Sequence, residues 1–167
     1  MKTFEIHSAR SKDIPQIGTV GLASWERGIA PHVPQAAHDT MNETSFKDFA
    51  SACLDQIVVA VNKERVLGFI ATENSDNFIT DLWIDPECES KGLGSALVSE
   101  TERRIAARGY NTAEISVLAQ NERALSLYHH MGYEEVERAK KFHEKLNCEI
   151  SYIKLRKHLP FYAEEIA

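Results

Sequence analysis

The sequence has no apolar run near the roughly 18 residues a membrane-spanning helix needs, no excess of cations, and no cysteine pair at redox or metal spacing. The first absence excludes a helical membrane span. A net charge of −6 over 167 residues argues against a general nucleic-acid or membrane-surface binder, and it is compatible with a cationic substrate such as an amine. Cys53, Cys88 and Cys148 are an odd number with no secretion-type segment before them, which argues against a disulfide framework; a reducing cytoplasm is the expected compartment. Among the seven histidines, His129 and His130 are adjacent and His32 and His38 do not share a helix face, so no metal is expected. Two phosphate-binding fingerprints are also missing. The P-loop pattern does not occur, and Leu97, followed by Val98, stands where the dinucleotide fingerprint needs its third glycine. No internal linker divides the chain, so one domain over 1–167 is expected.

What is present is a strand, a glycine turn and a helix in series over 78–105. Phe78, Ile79, Leu82, Trp83 and Ile84 form an apolar run of β-formers that stops at Asp85-Pro86. From Gly92 the period becomes helical, with Leu93, Leu97, Thr101 and Ile105 on one face. Ser90, Lys91, Gly92, Leu93, Gly94 and Ser95 therefore sit at a helix N-terminus, where unpaired N–H groups and the helix dipole favour an anion. The glycines alone fit either a diphosphate site or an ordinary tight turn.

Around this centre the chain reads as follows. Residues 4–7 alternate as a half-exposed strand. Asp13 and Pro15 open a helix whose buried face is Ile14, Ile17, Val20 and Trp25. An irregular loop over 28–34 precedes a second helix over 34–54. Strands at 56–61, 66–72 and 78–84 form an antiparallel meander, and a strand at 113–118 follows the glycine-turn helix, parallel to the last of these. Asn121 caps a helix with apolar positions Ala124, Leu127, Tyr128 and Met131, closed by Gly132; two strands around a charged turn at 138–147 end the fold. The predicted class is α/β with a mixed sheet, in the order β-α-α-β-β-β-α-β-α-β-β.

Glu89-Ser90-Lys91-Gly92-Leu93-Gly94 resembles the [QR]-x-x-G-x-[GA] signature of the GCN5-related N-acetyltransferase (GNAT) superfamily. The segment from Asn121 to Tyr133 resembles its second signature, N-x-x-A-x-x-x-Y-x-x-x-G-[FY]. The resemblance extends over most of the chain, and it implies a GNAT-like fold whose central strand pair is splayed. It implies transfer of an acetyl group from acetyl-CoA to a primary amine, either a protein N-terminus or a small amine. On this reading the backbone of Leu82, Trp83 and Ile84 holds the pantetheine and thioester carbonyl, provided the sheet splits between 82–84 and 115–118. Residues 90–95 hold the diphosphate and Asn121 contacts CoA, although a plain helix cap explains Asn121 equally well. Tyr128 matches the general acid, against the alternative of a core tyrosine on an apolar stripe. Pairing of two copies through C-terminal strands is a further family trait.

The general base is not fixed by the resemblance. In alanine N-acetyltransferases of ribosomal proteins a glutamate occupies the position held here by Ser116. Glu114 shares a strand face with Ser116, Asp81 enters the central strand and Glu73 ends its neighbour, so any of them could act directly or through water, with Asp81 and Glu114 taken as catalytic candidates beside Tyr128. Glu89 departs from the usual Gln or Arg and brings an acid to the phosphate site, where Lys91 and the helix dipole must offset it. The alternative from another class is a catalytically silent acyl-CoA-binding domain of the same fold, and a nucleotide-binding domain without acyl chemistry is a third reading.

Overall fold

The alternation after Phe4 forms β1 (Glu5–Ser8), an edge strand paired antiparallel to β2 (Ile57–Asn62). The computed structural model describes residues 4–160. Between these strands the chain makes α1 (Ile14–Gly28), a short α2 (Gln35–His38) and α3 (Glu43–Ala52). Asp13 does not cap α1 with its side chain. Its carboxylate turns back to accept the Arg10 N–H at 2.8 Å, closing a tight turn that runs into the helix. The single helix expected over 34–54 is interrupted at 39–42. Asn42 ends the interruption by accepting the Ser45 N–H at 3.0 Å, while the Ser45 hydroxyl accepts the Asn42 N–H at 3.0 Å, and this reciprocal cap starts α3.

The meander is present as β2, β3 (Arg65–Ala71) and β5 (Asp81–Ile84), which with β1 make an antiparallel sheet in the order β1-β2-β3-β5. The strand expected over 78–84 is two strands. Its first part, β4 (Phe78–Ile79), belongs to a second sheet, β4-β6-β8-β7, where it lies parallel to β6 (Thr112–Leu118). The chain changes sheets at Thr80. Both its N–H and its hydroxyl donate to the Ala71 carbonyl, at 2.9 and 3.2 Å, leaving one residue outside either ladder.

The parallel crossover runs through α4 (Leu93–Ala107), and α5 (Glu122–His130) follows β6. The closing hairpin, β7 (Glu134–His143) with β8 (Cys148–His158), is longer than expected, and its turn is only 144–147. Ile153 and Leu155 of β8 are buried in the core.

Two apolar layers flank the first sheet. On one side Val59, Val61 and Phe69 meet Ile17, Val20 and Trp25 of α1 and Phe46 of α3. On the other, Val58 and Ile70 meet Leu93, Leu97 and Ile105 of α4, Ile115 and Val117 of β6, and Tyr128 of α5. Leu97 and Ile105 are fully buried, each contributing roughly 1.5–3 kcal/mol of transfer free energy, which fixes α4 and so aims its N-terminus. Among the described residues, no helix is long and apolar enough to cross a membrane.

Candidate functional site

The sheet change at Thr80 creates the site. Among the described residues β4 pairs parallel with β6 at Phe78↔Glu114 and Ile79↔Ile115 alone. Beyond this point β5 ladders only with β3, and Ser116–Leu118 of β6 ladders only with β8, so the two strands diverge. The expected split between 82–84 and 115–118 is therefore observed. Leu82, Trp83 and Ile84 line the resulting cleft, which has a volume of about 1120 Å³ and is bounded opposite by Ala119, Gln120, Asn121, Ala124 and Leu127.

The glycine turn closes one end. Gly92 has φ +79°, a left-handed conformation that costs glycine little, and a Cβ there would meet no atom within 4 Å. A Cβ on Gly94 would lie 3.1 Å from Leu127 Cδ2, so this residue must be small for α4 to pass close to α5. Ser90, Gly92, Leu93, Gly94 and Ser95 all line the cleft. The first intrahelical bond here is donated by Ala96 to the Gly92 carbonyl, so the preceding N–H groups are available to an anion.

Lys91 is placed differently. Its ammonium donates to the Glu87 carbonyl at 3.3 Å. The cations that line the cleft are Arg27, from the end of α1, and Arg123, from the first turn of α5. Both pair with Glu89, Arg27 at 3.1 Å, while the Glu89 side chain is only 16% exposed. Sequence reasoning missed both arginines. Arg123 falls inside the second signature and offered a local signal, whereas Arg27 reaches the site only through the path of α1.

Asn121 lines the cleft and also caps α5, its side-chain oxygen accepting the Ala124 N–H at 3.2 Å. A methyl on Gly28 would stand 3.7 Å from Asn121 Nδ2, so the end of α1 approaches the start of α5 over the cleft. Tyr128 sits behind the lining residues Ala124 and Leu127, 1% exposed, its ring edge-on to Tyr133 at 5.3 Å. Its hydroxyl is buried without a hydrogen-bond partner. Burial first, and then the charges of Asp81 and Glu102, hold the phenol above its usual pKa, so it remains a proton donor.

The carboxylate candidates differ in setting. Asp81 accepts the Trp83 indole N–H at 3.0 Å. Burial raises its pKa; hydrogen bonds from Trp83 and Thr80 oppose the rise and the charge of Glu73 adds to it. Cys53 belongs to the same neighbourhood, its thiol pushed up to about 11 by burial and by Glu73, Asp81 and Asp55. Glu114 lies on the outer face of β6, clamped by Lys154 and Arg156, each at 2.7 Å. Burial alone would raise it, but the hydrogen bonds and charges of those two cations win, and its carboxyl is held below the usual range. Neither Asp81 nor Tyr128 is among the residues that line the cleft, and Glu114 stands in a separate ion cluster.

Comparison with known proteins agrees with this geometry. The acetyltransferase (GNAT) domain family matches residues 23–147. A mycothiol acetyltransferase from Gordonia bronchialis is 32% identical over 77 residues, 44% of this chain; the chain spans 25% of that relative's length. A GCN5-related N-acetyltransferase structure from Rhodopseudomonas palustris superposes with a TM-score of 0.78 at 18% identity, over 95% of this chain and 98% of that one. The PaiA N-acetyltransferase of Thermoplasma acidophilum, in complex with coenzyme A, gives 0.70 at 17% identity over 93% and 98%. YncA from Salmonella typhimurium, with its cofactor acetyl-CoA, gives 0.72 at 16% identity over 97% of each chain. At these identities the structural likeness is one of fold.

Proposed function

The chain belongs to the GNAT acetyltransferase family, and from that premise we propose that it transfers the acetyl group of acetyl-CoA to a primary amine by direct attack within a ternary complex. The acceptor is a protein N-terminus or a small amine. The observation that carries this reading is the divergence of β5 from β6 beside the N-terminus of α4, which offers a strand edge and free helix amides to one ligand. A thioester carrier has this polarity, with an extended amide arm at one end and a diphosphate at the other. The open space at Gly92, where even a Cβ would touch nothing, fits the bulk of the phosphates.

Acetyl-CoA supplies an activated acyl carbon with a thiolate leaving group. The chain's residues supply the rest. Leu82, Trp83 and Ile84 hold the arm along the β5 edge, where a backbone N–H aimed at the carbonyl oxygen stabilises the charge that develops there. Ser90, Gly92, Leu93, Gly94 and Ser95 take the diphosphate, and Asn121 contacts the arm from the opposite wall. Asp81 takes a proton from the incoming ammonium, directly or through water; its raised pKa suits it to this better than an ordinary carboxylate. As the nitrogen bonds to the acyl carbon and the C–S bond breaks, Tyr128 delivers its proton to the sulfur, and the second proton shed by the nitrogen as it becomes an amide restores the phenol by way of water. Glu114 has no part in this scheme, because two cations already hold it.

The test is incubation with acetyl-CoA and a panel of amines and N-terminal peptides, with released thiol as the readout. Thiol release that depends on one acceptor class is expected. Tight CoA binding with no release above background for any acceptor would replace this reading with that of a silent carrier-binding domain.

A further inference from the structure

Glu89 is the residue at which the sequence departs from the signature it resembles, and the structure gives it company of a particular kind. Its carboxylate pairs with Arg27 of α1 and Arg123 of α5, two elements on opposite sides of the cleft. The arginine side chains are 52% and 56% exposed, whereas the glutamate between them is 16% exposed. The three residues are far apart in sequence and all line the cleft beside the glycine turn. At the same place Gly28 and Asn121 approach across the opening. One carboxylate shared by two guanidiniums leaves a surplus positive charge and unused forked donors, which suit phosphate oxygens better than a single carboxylate can.

We propose that Glu89 is an internal anion that clasps Arg27 and Arg123 across the mouth of the cleft until the phosphates of the incoming carrier take both arginines over. The inference rests on the reading that the cleft binds a CoA thioester. Binding is then an exchange, in which each arginine trades a carboxylate for a phosphate and Glu89 is left to water. Two consequences follow from the charges. Affinity is held down by the cost of breaking the clasp and by a carboxylate left near the phosphates. Phosphate dependence is the second, because a carrier fragment without phosphates makes no exchange with the arginines, so its affinity does not register whether the clasp is open or shut.

The experiment is a double-mutant cycle on binding, read by calorimetry with CoA and with S-acetylpantetheine, using the wild type, Glu89→Gln, Arg123→Ala and the double variant. Glu89→Gln is expected to bind CoA roughly three- to tenfold more tightly, the range for loss of a partly buried competing ion pair, while its binding of acetylpantetheine changes by less than about twofold. Arg123→Ala is expected to weaken CoA binding more in the Glu89→Gln background than in the wild type, because the arginine no longer has to leave a partner. Equal or weaker CoA binding by Glu89→Gln, with a smaller arginine effect in that background, would show that Glu89 steers the arginines onto the phosphates and would overturn the clasp. Failure of the wild type itself to bind CoA would instead overturn the reading of the cleft. Thermal unfolding of each unliganded variant identifies any that misfolds, and Arg27→Ala then repeats the cycle from the other wall.

Discussion

Replacing Tyr128 by phenylalanine removes one oxygen atom from a site where nothing in the unliganded structure bonds to it. The ring stays 5.3 Å from Tyr133 and keeps its place in the core between α4, α5 and β6. A buried hydroxyl without a partner costs about 1–3 kcal/mol in lost hydration, so the variant should be at least as stable as the wild type, with a gain of roughly 1 kcal/mol. In a domain of this size that raises the melting temperature by about 2–4 °C. Turnover should move the other way. Without a donor for the departing thiolate, kcat should fall by roughly 10²–10⁴, while the Kd for CoA is nearly unchanged, since no described cleft contact is lost. Calorimetric unfolding and thiol release measured on the same preparation test both halves. A variant that loses more than about 1 kcal/mol and turns over normally would make the phenol a structural residue and refute the argument.

Asp81→Asn should lower kcat/KM by roughly 10²-fold and remove the acidic limb of its pH profile. Because the pKa of Asp81 is raised, that limb in the wild type should lie above the ordinary carboxylate range near pH 4, with activity lost as pH falls through it. Glu114→Gln should leave turnover within about twofold yet destabilise the fold by about 1 kcal/mol at neutral pH, since Lys154 and Arg156 lose their shared partner. Its folded pKa is depressed, so this contribution is fully present above the unfolded value near pH 4.3; as pH falls through the folded value the two proteins should converge. Gly92→Ala meets no steric obstacle but must hold φ +79°, a strain of about 1 kcal/mol, and should shrink the thermal stabilisation given by CoA more than it lowers the melting temperature alone.

The letters of the chain carried the glycine turn, the α4 stripe and the helix capped by Asn121, because each depends on neighbours within one or two turns. The break at Thr80 was not legible in itself, for Phe78 and Ile79 before it and Leu82, Trp83 and Ile84 beyond it are all apolar and suited to a strand. What decides it is the Ala71 carbonyl on another strand, and only the family resemblance pointed to a split. The interruption before α3 did leave a local sign in Asn42 and Ser45, a reciprocal cap hidden inside a stretch read as continuous helix. In β7, nearly every position is exposed, so the apolar alternation that marks a half-buried strand is missing and its length was underestimated. The pairing of Arg27 and Arg123 with Glu89 joins three distant segments, and no local pattern encodes such a meeting.

Unpaired strand edges invite other chains to add to them, and this protein guards its edges in unlike ways. The border of β7 is dressed with Glu134, Glu135, Glu137, Arg138, Lys140 and Lys141, a palisade of charge that makes lengthwise stacking of a neighbour costly. On the proposed function a ligand lies against the border of β5, which carries no such palisade. It is sunk instead between the end of α1 and the start of α5, so that a neighbouring strand would have to enter the cleft to reach it. The feature that makes room for chemistry is thereby kept from becoming a seed for aggregation.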